Sequence, residues 1–90
     1  MQTSQTDILA RVRSFLQENF LYMRPDLELG PDDRLMERGI VDSMGVLEML
    51  NFIENEFGVR AADDEISEAN LGSLRAISQF VAEKQTAAAA

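Results

Sequence analysis

The run Gly39-Ile40-Val41-Asp42-Ser43-Met44-Gly45 leads into a segment ending at Phe57 in which Val46, Leu50, Ile53 and Phe57 recur at helical spacing, and Gly58 follows where helices commonly stop. A helix from about Ser43 to Phe57 is predicted, with that stripe turned to the core. Asp42 is of a type preferred at N-caps, which leaves Ser43 on the first turn, where unpaired N–H groups and the positive end of the helix dipole favour an anion. A Ser beside an Asp at a helix start is usually a cap and nothing more. At about 100° per residue, however, Met44 and Asn51 fall well off the apolar stripe and Leu47 on its shoulder, so Met44 has no place in the predicted core. Met44, Leu47, Glu48, Asn51, Glu54 and Asn55 then form a mixed apolar and acidic face suited to basic partners. The plainer alternative is a solvated face with one exposed Met.

Working outward, 90 residues fit one small domain, which buries about 60% of its unfolded surface. The 46% hydrophobic content against 27% charged, arranged in periodic stripes, predicts a folded chain. Net charge is -8, and it is concentrated: residues 26–68 hold 13 acids and 3 bases, a net of -10, and the remainder nets +2. An acidic middle argues against binding a nucleic-acid backbone and for basic protein surfaces. Cys and His are both absent, so no disulfide, no Cys or His metal ligand, no thiol nucleophile and no Ser–His pair can be assembled. No catalytic residue and no metal ligand is therefore assigned, and any thiol chemistry has to be borrowed. No signal-peptide pattern opens the chain and no run of 18 apolar residues occurs, from which a cytoplasmic protein without membrane insertion is expected.

Thr6, or Ser4 with Asp7 three residues on, can cap a first helix with apolar Ile8, Val12, Phe15, Leu16 and Phe20, running to about Asn19. Leu21, Tyr22 and Met23 continue the apolar character up to Arg24-Pro25, where the residue before proline disfavours helix. From Pro25 to Asp42 a long loop is expected, anchored by Leu27, Leu29, Leu35, Met36, Ile40 and Val41; connections this long are more often functional than idle. After Gly58, Val59 is expected inside and Arg60 outside. Asp63-Asp64-Glu65 can open a short helix to about Ala69, with Ile66 as its core contact. Ser73 is a cap candidate for a last helix in which Leu74, Ile77, Phe80 and Val81 face inward, ending near Lys84 before a polyalanine tail that either frays or extends the helix. The prediction is all-α: a small four-helix bundle of three longer helices and one short one, with a long first connection. One domain spans 1–90, with its folded core at about 6–84 between flexible ends.

The run from Asp33 to Met44, then Leu47-Glu48-Met49-Leu50, Ile53-Glu54-Asn55-Glu56-Phe57-Gly58-Val59 and Asn70-Leu71-Gly72-Ser73-Leu74 with Ile77, resembles the acyl carrier protein family over roughly residues 8–81. The resemblance implies that Ser43 carries a 4'-phosphopantetheine arm, attached from coenzyme A by a phosphopantetheinyl transferase, and that the arm's thiol holds an acyl or aminoacyl group as a thioester. Asp42 is the flanking motif residue, and Met44, Leu47, Glu48 and Glu54 match positions contacted by partner enzymes: adenylating ligases, synthases and acyltransferases with basic docking surfaces. Asn51, also on that face, stands where fatty-acid carriers are often apolar. Ile40-Val41 and Gly45 look more like stand-alone D-alanyl, peptidyl or aryl carriers; Gly45, which costs about 1 kcal/mol of helix propensity against Ala, would suit a partner's close approach or have no role. The resemblance further implies a non-catalytic monomer. Two other readings are a small acidic interaction module without prosthetic group, in which Ser43 is only a cap, and a calcium-binding protein built on Asp63, Asp64 and Glu65, whose spacing lacks the regular calcium-loop pattern.

Overall fold

Ser4 opens the first helix: in extended backbone, its hydroxyl accepts the Asp7 N–H at 3.2 Å, satisfying a donor that the helix start leaves unpaired. Helix α1 runs Gln5–Asn19 and buries Ile8, Val12 and Leu16, spaced by four so that they share one face. Helix α2 spans Ser43–Phe57, a 3-10 turn Asp63–Glu65, the short α3 Glu68–Leu71, and α4 Leu74–Ala89. This computed structural model describes residues 3–21, 24 and 27–89. The expectations for Tyr22, Met23 and Pro25 lie outside them. All the secondary structure among the described residues is helical, in three long helices and one short, with the long connection between α1 and α2.

Helix α4 is the element on which the other three pack. Its Leu74, Ile77, Phe80 and Val81 are buried, and together with α1, Met49, Ile53 and Phe57 of α2, and Leu29, Leu35, Ile40 and Val41 of the long loop they form one core. Two buried polar side chains sit among them. Ser78, fully buried, turns its hydroxyl back to donate to the Arg75 carbonyl at 2.9 Å. Gln85 joins three remote pieces of chain: its Oε1 accepts the Thr3 N–H at 2.8 Å, and its amide nitrogen donates to the Thr3 hydroxyl and to the Phe57 carbonyl, both at 3.3 Å. Each bond answers a polar group that burial would otherwise strand.

The structure corrects the predicted packing in five places. The buried face of α2 is Gly45, Met49, Ile53 and Phe57, so Val46 and Leu50 are only half-buried. Apolar residues lie on both sides of this helix, and the side turned inward is the one whose Gly45 meets Phe20 and Val41, with α2 packed on α4. The single short helix expected over 63–69 is two pieces, the 3-10 turn and α3, because Ser67 in extended backbone interrupts it and caps the second piece through the Asn70 N–H at 3.3 Å. Ile66, expected in the core, falls at that interruption and is 39% exposed, and Leu71 is buried in its place. Met36, expected as a loop anchor, is 49% exposed. Helix α4 continues to Ala89 rather than ending near Lys84, since alanine is the best helix former and nothing there breaks it.

Ion pairs fasten the loop and the α3 region to α4. Arg75 grips Asp32 through two nitrogens, at 2.7 and 3.1 Å, beside its own N–H bond to the Pro31 carbonyl at 2.8 Å. Lys84 meets Glu65 at 2.8 Å. The hydrogen bond from Arg75 holds the Asp32 carboxyl below its ordinary 3.8, and the bond from Lys84 holds Glu65 below its ordinary 4.5. Both pKa values are depressed in the folded state, so each pair contributes stability that is complete above those ordinary values and lost as the pH falls through and below them. Thermal melting at low salt should therefore show a steeper loss below about pH 4 in the wild type than in Arg75→Gln or Lys84→Met, whose freed carboxyls return to ordinary values; parallel curves would contradict it. High salt should shrink the difference, because both pairs are solvent-accessible.

Candidate functional site

The start of α2 is delivered by a compact turn built on Leu35, which is 1% exposed. Its carbonyl accepts the N–H groups of both Ile40 and Val41, at 2.9 and 3.2 Å, and its own N–H donates to the Gly72 carbonyl at 2.9 Å. Gly39, at φ +72, makes the reversal that such a turn needs, in a backbone region where L residues are strained. With Ile40 and Val41 buried on one side, the next two residues are turned outward.

Asp42 is the N-cap: its Oδ1 accepts the Gly45 N–H at 2.7 Å, and its carbonyl accepts the Val46 N–H at 3.0 Å. Ser43 is therefore not the cap. It is exposed on the first turn, and no hydrogen bond among the described residues engages its hydroxyl. The N–H groups of Ser43 and Met44 likewise have no partner among them. This corner offers a free nucleophilic oxygen beside two free donors and the positive helix end. The Asp42 carboxylate, occupied by Gly45, works against a loose extra anion, so the corner suits a phosphate that is covalently held better than one that is merely bound.

Gly45 is buried, and a Cβ there would stand 2.8 Å from the Phe20 ring, 3.1 Å from Val41 Cγ1 and 3.3 Å from the capping oxygen of Asp42. The close approach for which the helix forgoes a side chain is thus by its own chain rather than by a partner. Gly45→Ala gains about 1 kcal/mol of helix propensity but overpacks at a cost of 1–3 kcal/mol. A net loss of about 1 kcal/mol is expected in urea titration, with partial recovery in Gly45→Ala/Phe20→Leu; a stabilised single variant would show that Phe20 yields freely.

Of the remaining α2 residues, Met44 is 69% and Leu47 57% exposed, and Glu48 and Asn51 also face outward. Glu54 is half-buried and already paired with Arg60 Nη2 at 3.0 Å, leaving Glu48 as the carboxylate of the group without an ion pair among the described residues. The acids at 63–65 do not form a loop around an ion: Glu65 accepts the Ala62 N–H at 2.9 Å and holds Lys84. Sequence reasoning missed a shallow cleft one turn from Ser43, lined by Met36, Val46, Ile66 and Leu71, because it had assigned three of these to the core. No local signal marks it; it exists only where α2 and α3 are juxtaposed. No helix among the described residues is long and apolar enough to cross a membrane.

The family model described as "Phosphopantetheine attachment site" matches residues 7–81, from α1 into α4. The chain belongs to this family of carrier proteins. It is similar to Aminoacyl carrier protein 2 of Bradyrhizobium diazoefficiens, with 31% identity over 77 residues, 86% of this chain and 81% of that one. It is also similar to the D-alanyl carrier protein of Streptococcus sanguinis, with 30% identity over 81 residues, 90% of this chain and 99% of that one. The prosthetic group of the carrier is a covalently bound 4'-phosphopantetheine, and the family implies a phosphopantetheinyl transferase and biosynthetic enzymes as partners. The residues at the start of α2 fit such a group: an unengaged hydroxyl to esterify and unpaired N–H groups to face the phosphodiester.

Proposed function

We propose that this carrier holds its arm on Ser43 and that its cargo is an aminoacyl group, loaded as a thioester by an adenylating ligase and handed to an acyltransferase or synthase. The observation that carries the reading is the exposed Ser43 hydroxyl, unbonded among the described residues, beside a cap already supplied by Asp42. The names of the two relatives support aminoacyl cargo over a long acyl chain. The chain acts as one domain, as a monomer and as a substrate of its partners rather than a catalyst, in the cytoplasm where coenzyme A and adenylating ligases meet. Partners dock over Met44, Leu47, Glu48 and Asn51, with basic groups answering Glu48, and at Glu54 they compete with Arg60.

The test begins with intact mass after incubation with coenzyme A, magnesium and a broad-specificity transferase. One phosphopantetheine on the wild type and none on Ser43→Ala supports the attachment; uptake by both proteins refutes it. The cargo is read from carrier recovered from its own cells at mildly acidic pH, weighed before and after hydroxylamine. Release of an amino-acid mass supports the aminoacyl reading, and release of an aliphatic acyl mass transfers the protein to the short-acyl carriers.

A further inference from the structure

Helix α2 carries three carboxylates, Glu48, Glu54 and Glu56, and two of them are answered by arginines of the same chain. Glu56 holds Arg11 of α1 at 3.0 Å, and Glu54 holds Arg60 at the same distance. Glu48 has no ion pair among the described residues. At about 100° per residue, Glu48 and Glu54 flank the exposed ridge of Met44, Leu47 and Asn51 on opposite sides. Along the axis Glu48 is about 7.5 Å from Ser43 and Glu54 about 16.5 Å. The backbone puts Arg60 where it is. Gly58, at φ +70, closes α2 by donating its N–H to the Glu54 carbonyl at 3.0 Å, and buried Val59 anchors the returning chain. The next residue therefore comes back beside the last turn, where the negative helix end also favours a cation. There the Arg60 guanidinium is 80% exposed and the Glu54 side chain 43%. A pair this open contributes little to folding, but it changes what a visiting protein meets.

We propose that Arg60 determines which partners this carrier accepts: by holding Glu54 it confines docking to the Ser43 half of α2 and turns away proteins whose basic surface runs along the whole helix. The inference rests on the docking over α2 proposed above. A partner with a lysine or arginine opposite Glu54 has to break the pair with Arg60 and then leaves Arg60 standing beside its own cation. That loss falls on such a partner alone, so the discrimination comes from repulsion rather than from an added contact. Arg11 removes the other far carboxylate, Glu56, and Asn51 adds no charge between the two halves. The partner that fits brings an apolar patch to Met44 and Leu47 and one cation to Glu48, and it gains nothing electrostatic by reaching past Asn51.

The experiment uses the full chain with coenzyme A, magnesium and the broad-specificity transferase as the probe at low salt. It reads kcat and KM for the carrier, with intact mass reporting the arm and urea titration reporting the fold. Arg60→Gln is expected to lower KM about two- to fivefold with kcat little changed, the range set by one exposed pair, and high salt should erase the gain. A merely structural pair predicts no such gain, since losing it can only loosen the fold. Arg60→Lys, which keeps the charge, should behave as the wild type. The gain should shrink by at least half when Glu54→Gln is already present. Arg75→Gln, the same change of net charge on α4, should show no comparable gain. An unchanged or raised KM in a folded Arg60→Gln overturns the proposal, and an equal gain in Arg75→Gln does so too by reducing the effect to net charge. A KM that Glu48→Gln leaves unchanged overturns docking over α2, and this inference with it. An arm absent from the wild type, or present on Ser43→Ala, overturns the attachment reading, and the mass alone reports that.

Discussion

Ser43→Ala is expected to fold as well as the wild type and to take up no phosphopantetheine. Both halves follow from the first turn of α2. The hydroxyl is exposed and has no partner among the described residues, so its removal leaves nothing buried unsatisfied, and Ala is the better helix former. Stability should stay within about 0.5 kcal/mol, as for surface substitutions generally. Asp42→Ala supplies the contrast: it removes the 2.7 Å cap on the Gly45 N–H and should cost about 1 kcal/mol while Ser43 remains available. Urea titration and intact mass on the same two variants separate the roles. Loss of stability in Ser43→Ala comparable to that in Asp42→Ala would return Ser43 to a structural cap.

Phe57→Ala should be the most damaging single truncation in α2. The ring is 8% exposed and stands edge-on to Phe52 at 6.0 Å, and Phe52 in turn stacks on Phe15 of α1 at 4.3 Å, so the cavity would open between two helices. A loss of about 3–5 kcal/mol is expected, a large share of the 5–15 kcal/mol that holds a typical domain together. Met44→Ala, at a residue 69% exposed, should cost less than about 0.5 kcal/mol but slow transfer of the arm, because it strips an apolar contact beside Ser43. Denaturation midpoints and modification rates measured side by side test the division of the helix. Equal destabilisation by the two truncations would abolish it.

How much of this was legible in the sequence depended on how far the deciding interaction reached. The caps at Ser4 and Asp42 bond three residues ahead and could be read from residue type. So could the exposure of Met44, since it lies off any apolar stripe this helix can form. The choice between Val46–Leu50 and Gly45–Met49 could not, because both are at helical spacing and only contacts made after folding, with Phe20, Val41 and α4, decide between them. Gly45 illustrates the point: its reason is Phe20, which is 25 residues earlier in the chain and reaches it only after folding. The break at Ser67 left Ile66 outside, where a single helix would have carried it inward. Gln85 was unreadable for the same reason, with partners at Thr3 and Phe57.

That clasp also fixes the polarity of the molecule. Thr3 and Gln85 meet at the Phe57 end of α2, and Ser43 is 14 residues back along the same helix, about 21 Å away. Thr3 and Gln85 thus lie at the pole opposite the exposed Ser43 hydroxyl. On the proposed attachment at Ser43, a solid support or affinity tag reached through the Thr3 side of the domain would stand at the far pole and leave the start of α2 facing open solution.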